Sequence, residues 1–483
     1  MHIPPLSASD VAPLSFNQER ELYRDLWARL RGFTPLTLNM TIRFKFDTPV
    51  NHAIVERALN EVVRRHDALR TGYTVMGPML LWKFLGLVGL LALRFSAMRR
   101  LAVWTIRRWN RNPKPARFTV FRQWTIPTAT VTLQRVDTRL PGVDPLRAVL
   151  SACHAPLDMA DPPLIRAVLV THSDGRENLT VVVSHLAFDL ASEALFRNEF
   201  WTAYNAFAAG VEPSLPRPAV QYGAFAAWQR QRFSGPYLEE CLRYWCDRLP
   251  GFSPFFSPVR VDELRYCTRN GDRRRLSRVR EVVINGEPHA RLRACCSRAR
   301  VTPYMLLWAA LGRVLRDASK RDPVVVWMAF ANRTHPDLER LIGWVEQTLP
   351  LSLDFGGLTS DHEILERARA AVLGAMEFPM PPPLLSLHQG FEIPPGEELV
   401  NNHVGFDFRT EPGEAPRNES AARVLPGESY SDFALQISAF QGWTYLRLRV
   451  QYSLDWFADD GAKQLLDDLT GTLNRMTLST VET

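Results

Sequence analysis

Residues 181–190 read VVVSHLAFDL: three valines and a serine lead into a histidine at 185, and an aspartate follows four places later. The valines argue for a strand, because β-branched side chains lose χ1 freedom in a helix and pack well on a pleated sheet. With the preceding NLT the run is too short for a helix, and the next segment, DLASEALFRNEFWTAYNAF, places Leu195, Phe196, Phe200, Tyr204 and Phe207 at helical spacing. His185 therefore leaves a strand and enters a helix-initiating loop. The spacing alone is cheap: His154 with Asp158 and His403 with Asp407 repeat it among only 11 histidines. Context separates them, since His154 precedes the turn-rich DMADPP and His403 lies inside NNHVGFDF, a predicted strand in which positions i and i+4 share one face.

Strand and helix patterns alternate outward from this stretch. SFNQERELYRDLWARL has helical spacing with Ser15 as N-cap and Gln18 three residues on. LTLNMTIRFKF alternates at period two, and NHAIVERALNEVVRRHDALR returns to helical period with Ile54, Leu59, Val62, Val63 and Leu69 as its buried stripe. Later, VTPYMLLWAALGRVLRD predicts a helix with Thr302 as N-cap and Pro303 at N1. PVVVWMAFANR reads as a buried strand, four more strands follow, and DDGAKQLLDDLTGTLNRM closes the chain as a helix. The class is mixed α/β. At 483 residues the chain exceeds a single simple core, and Pro-rich stretches at 211–220, 251–260 and 377–386 suggest boundaries. We expect an N-terminal lobe over 1–210, carrying an insert at about 75–116, and linker helices with a C-terminal lobe over 211–483.

Composition narrows the partners. The formal charge is +7, yet 51 acidic residues are interleaved with 58 basic ones, with no basic stripe set among aromatics, so nucleic acid is not an expected partner. The six cysteines form no C-x-x-C pair and no metal-ligand spacing, as expected of reduced thiols in a cytoplasmic protein without a metal site. MHIPPLSASD lacks the basic and apolar regions of a signal peptide.

Eight or so stretches, in order from about residue 13 to residue 475, together resemble the condensation-domain superfamily of nonribosomal peptide synthetases, related to chloramphenicol acetyltransferase. PLSFNQERELY, RRHDALRTGY, PLIRAVLV and LTVVVSHLAFDL carry the resemblance in the first half. VQYGAFAAWQRQR, RYWCDRL, VTPYMLLWAALGRVL, FANRTHPDLERLIGWVEQTLPLSL and VQYSLDWF carry it in the second. The resemblance implies a two-lobed chloramphenicol acetyltransferase-like pseudo-dimer, each lobe a mixed sheet with helices, and an active-site tunnel between lobes.

The resemblance also implies roles. His185 takes the family's catalytic position, assisting attack of an amine or alcohol on an acyl thioester, and a neutral imidazole suits that task near neutral pH. Asp189 turns away into an ion pair with Arg333 that fixes the loop, and backbone N–H groups where the helix begins help hold the developing oxyanion. Arg65 and Arg70 support the first lobe, with His66 a packing residue; Tyr222, Trp228, Tyr244 and Trp245 read as linker and core aromatics. No bound cofactor is implied, and the phosphopantetheine thioester of an acyl or peptidyl carrier protein, or coenzyme A, is the donor. The chain departs from the family at Ser184, where a first histidine is usual, and at Leu190, where a glycine leaves room for the pantetheine arm or for an unusual backbone angle. Glu346 and Gln347 replace an apolar residue and an asparagine.

The implied activity is that of a free-standing condensation-type acyltransferase, forming an amide or ester in specialised-metabolite or lipopeptide biosynthesis. A membrane-associated lipid O-acyltransferase and a catalytically inactive recruitment module are the alternatives. The insert bears on the first of these. Phe84 to Leu93 holds no polar side chain, and Arg94, Arg99, Arg100, Arg107, Arg108 and Arg111 follow. A spanning helix wants about 20 apolar residues, so residues 77–112 fit better as an interfacial segment on an anionic membrane surface, which would make the protein peripheral on the inner face of the cell membrane. A helical hairpin packed on protein is the competing reading.

Overall fold

The computed structural model describes residues 3–5, 12–30, 39–75, 121–140, 144, 149, 151–153, 155–249, 264–267, 277–358, 360–381, 384, 404–411, 434–454 and 456–479. Two compact units divide the chain: residues 1–239 with 331–346, and residues 240–330 with 347–483.

The first unit is built on a four-stranded sheet ordered β1-β6-β5-β4, from β1 (Asn39–Phe46), β4 (Leu133–Asp137), β5 (Ile165–Thr171) and β6 (Glu177–Ser184). β6 runs antiparallel to both neighbours, with Ser184 opposite Asn39 and Val183 opposite Met40 and Ile165. It is buried on both faces, and the three consecutive valines at 181–183 suit a position where neither face meets solvent. A separate antiparallel pair joins β2 (Thr71–Val75) to β3 (Phe121–Thr125), with Val75 opposite Phe121.

Three helices of this unit start where a side chain satisfies an orphan amide. α1 (Phe16–Leu30) follows Ser15, whose Oγ accepts from Gln18 N at 3.2 Å while Gln18 Oε1 accepts from Ser15 N at 3.1 Å, a reciprocal capping box. α2 (His52–Arg65) is capped by Asn51, which accepts from Ala53 N and Ile54 N. It ends earlier than its apolar period suggests: His66 is extended and buried, and Leu69 enters the core from a 3₁₀ turn, Asp67–Arg70, instead of the helix. The buried face is Val55, Ala58, Leu59, Val62 and Val63, with Ile54 only partly covered. α3 (Leu190–Ala208) buries Phe196, Phe200, Ala203 and Phe207. α4 (Tyr222–Arg232) buries Tyr222, Ala224, Phe225, Ala226 and Gln229.

The second unit holds a six-stranded mixed sheet ordered β7-β12-β11-β10-β8-β9, comprising β7 (Ser277–Asn285), β8 (Val324–Phe330), β9 (Gln347–Leu353), β10 (Val404–Thr410), β11 (Leu435–Gln441) and β12 (Tyr445–Ser453). β10 is parallel to β8 and β11, and the remaining pairs are antiparallel. β8, the PVVVWMAF segment, has a neighbour on each side. Thr302 caps the helix Pro303–Ser319, with Pro303 in its first turn, as the sequence predicts. Among the described residues no helix is long and apolar enough to cross a membrane.

Candidate functional site

His185 stands one residue beyond the end of β6, one of the two interior strands of the four-stranded sheet. It opens a short 3₁₀ turn, His185–Ala187, whose N-cap is Ser184; the serine Oγ accepts from Leu186 N at 3.3 Å. Ser184 is thus a buried capping residue. The turn bends the chain so that His185 Nδ1 lies 2.6 Å from the carbonyl oxygen of Phe188. A carbonyl only accepts, so Nδ1 carries the hydrogen and, in the neutral ring, the lone pair sits on Nε2. The half-buried imidazole lies against Trp344, ring centroids 4.1 Å apart and planes 23° from parallel.

Asp189 is fully buried and faces away from His185 into a dense set of donors. Oδ1 accepts from Ser192 N at 2.8 Å, Ser192 Oγ at 2.6 Å and Arg333 Nη2 at 3.0 Å. Oδ2 accepts from Arg333 Nη1 at 2.8 Å, Val345 N at 3.0 Å and Glu346 N at 2.9 Å. Burial alone would raise this carboxyl's pKa; the Arg333 charge, with the hydrogen bonds, holds it below the ordinary carboxylate value instead. Arg333 also donates to Leu341 O at 2.9 Å. Asp189 is the N-cap of α3, and its bond to Ser192 N uses one first-turn amide. Leu190 begins α3 in helical conformation and is half-buried, so no left-handed backbone is asked of the leucine.

The N-terminal segment braces the same loop. Gln18 is buried and donates from Nε2 to Leu186 O at 3.0 Å and to the Tyr73 hydroxyl at 2.7 Å. Tyr222 places its hydroxyl 2.8 Å from Trp344 O and 2.9 Å from Ser15 Oγ; the carbonyl must accept, so the serine hydroxyl donates to the tyrosine. Burial keeps the Tyr222 pKa well above its ordinary value, so it stays a donor. Asn17 Nδ2 donates to Glu346 O at 2.7 Å, and Asn332 Nδ2 to Val345 O at 3.2 Å.

Arg65 and Arg70 lie elsewhere in the unit. Arg65 bonds Glu199 of α3 from Nε at 2.9 Å, and the buried His66 shares that carboxylate through Nε2 at 3.0 Å. Arg70 donates to the carbonyls of Val63, Arg64, Ile126 and Pro127 and to Asp67. Both tie α2 and its following turn to neighbouring chain. His154, His403 and residues 76–120, which hold nearly all of the insert, lie outside the described residues. Asp407, the partner of His403 by spacing, is buried in β10 and accepts from Arg409 Nε at 2.7 Å. Gln347 is buried at the start of β9. Among the described residues no three His, Cys, Asp or Glu side chains gather around a position suited to a metal ion.

Four side chains at this site were not picked out by sequence reasoning in these roles: Trp344, Gln18, Ser192 and Tyr222. Gln18, Tyr222 and Trp344 all fall within stretches that carry the family resemblance, but nothing in spacing couples Trp344 to His185.

Residues 118–482 match the family model described as the Condensation domain. The chain belongs to that family. Among curated relatives of this condensation-family chain, malpinin synthetase of Mortierella alpina is 29% identical over 378 residues, covering 78% of the chain and 4% of the synthetase. Phosphinothricin tripeptide synthetase PhsC of Streptomyces viridochromogenes is 26% identical, with 75% of the chain and 29% of the relative covered. The chain thus spans under a third of either relative. Among solved structures, the X-domain from teicoplanin biosynthesis superposes with a TM-score of 0.71 at 20% identity, covering 99% of this chain and 97% of that one. The SgcC5 protein from Streptomyces globisporus gives 0.69 at 18%, covering 96% and 98%. The condensation-domain fold, chloramphenicol acetyltransferase-like with mixed sheets and helices, is therefore that of this chain.

Proposed function

We propose that the chain is a condensation-type acyltransferase, moving an acyl group from the phosphopantetheine thioester of a carrier protein to an amine or alcohol. The observation that carries this reading is the tautomer of His185: Nδ1–H is committed to Phe188 O, which puts the basic lone pair on Nε2. In the proposed step Nε2 takes the proton of the attacking N–H or O–H as the new N–C or O–C bond forms at the thioester carbonyl. The C–S bond then breaks, and the imidazolium returns the proton to the departing thiolate. Free thiol and an amide or ester result, with no metal required. Asp189 and Arg333 do not touch substrate in this scheme; they hold the loop.

The test is His185→Ala, assayed with acyl-loaded carriers and trial acceptors by intact-protein mass spectrometry. Loss of a positioned general base costs roughly 100- to 10,000-fold. Product formation at the wild-type rate would reject His185 as the base, and product no faster with wild type than without protein would favour the second reading, protein recruitment without chemistry. Leu190 at the glycine position is what favours that alternative, and so does likeness to the X-domain, which has been solved in a complex with OxyB. The apolar and basic residues 77–112 favour a membrane-facing acceptor instead, as in a lipid O-acyltransferase drawing on coenzyme A or a carrier.

A further inference from the structure

We propose that Trp344 is a positioning residue for His185, its indole fixing the plane of the imidazole from a segment that Asp189 holds in place. The inference rests on His185 being the base, and adds what orients it.

The hydrogen bond from Nδ1 to Phe188 O at 2.6 Å fixes an edge of the imidazole. The indole fixes its plane: stacked at 4.1 Å and 23°, it presents a flat wall to one imidazole face, itself 5% exposed. The wall is only as fixed as the backbone that bears it. Ser192 Oγ accepts from Gly343 N at 3.1 Å, and Tyr222 donates to Trp344 O at 2.8 Å. Asp189 Oδ2 accepts from both Val345 N and Glu346 N, while Asn332 and Asn17 donate to the carbonyls of Val345 and Glu346. Four consecutive residues are thus bound by side chains rather than by a neighbouring strand, and the carboxylate four places after His185 is central among those side chains. Asp189 acts on the imidazole through this segment as well as through its own loop.

The experiment uses the full chain with histidine labelled at the ring, the His185 signals being assigned by their loss in His185→Gln. In wild type the ring protons should carry an upfield displacement from the indole. Trp344→Ala should abolish it, and Trp344→Phe, which keeps an aromatic wall, should retain most of it. With a donor–acceptor pair in hand, Trp344→Ala should lower kcat roughly 10- to 100-fold with KM nearly unchanged, as expected when a catalytic group is misplaced rather than removed. Trp344→Phe should stay within about fivefold of wild type by the same reasoning. Unchanged His185 ring signals in Trp344→Ala would overturn the inference whatever the activity. Full activity in His185→Ala would instead remove the catalytic reading, and the ring signals would still decide whether the indole holds the imidazole.

Discussion

Asp189 has six donors and one countercharge, and this sets how it responds to substitution. Asp189→Asn leaves Arg333 buried without its partner, and breaking such a pair costs about 3–5 kcal/mol. For an isolated buried pair, replacing both members with apolar residues is often neutral. Here Asp189→Leu with Arg333→Met also strands the amides of Ser192, Val345 and Glu346, at about 1–3 kcal/mol each. The double variant should therefore remain about 3 kcal/mol or more below wild type in urea unfolding, and recovery to wild-type stability would show those amides need no acceptor. Acid titration gives an independent check. A carboxylate whose native pKa is depressed contributes its full stability above the unfolded value, about 3.9, and loses it as pH falls through the lower native value. The gap between wild type and Asp189→Asn should be constant from neutrality to about pH 5 and close on further acidification. A gap that holds throughout acid unfolding would mean the carboxylate is not held below its ordinary range.

At the scale of elements, what could be read in advance depended on whether the cause was local. The capping box at Ser15 and the N-cap at Thr302 were legible because the groups involved lie within three residues of each other, and β6 because its consecutive valines favour a strand. The length of α2 was misread, since His66 leaves the helix to bond Glu199, a residue on another element. The resemblance brought His185, Asp189 and Arg333 together, but not Trp344, whose stacking depends on where the chain from β8 to β9 passes. Gly343 is the tight point of that passage: its φ is +156°, and a Cβ there would fall 2.0 Å from Tyr222 Cδ2. Overpacking of this kind costs about 1–3 kcal/mol, so Gly343→Ala should unfold at lower urea and lose activity with it. Tyr222→Ala removes the obstruction while leaving the backbone strain. The double variant should accordingly be less destabilised than the sum of the two singles, by about 1 kcal/mol or more; strict additivity would place the conflict elsewhere.

For the whole molecule, the informative feature is where the insert departs. Val75 and Phe121 are opposite one another at the end of the β2–β3 pair, so residues 76–120 leave and return at adjacent positions of one ladder. An Asn-Gly turn can join such ends directly. Closing a shorter loop also costs less chain entropy, by roughly 3 kcal/mol for this reduction in length. A variant with 76–120 replaced by Asn-Gly should therefore fold with wild-type or higher stability and keep His185-dependent product formation in solution. Marked destabilisation would show that the first unit depends on the insert for packing. The same protein tests the lipid reading of the apolar run at 84–93 and the arginines that follow it. Wild type should float with vesicles containing phosphatidylserine, lose that association as salt rises, and the shortened chain should stay at the bottom of the gradient. Flotation that is equal for the two proteins would assign the membrane no part in this segment, leaving contact with protein as the use of its apolar surface.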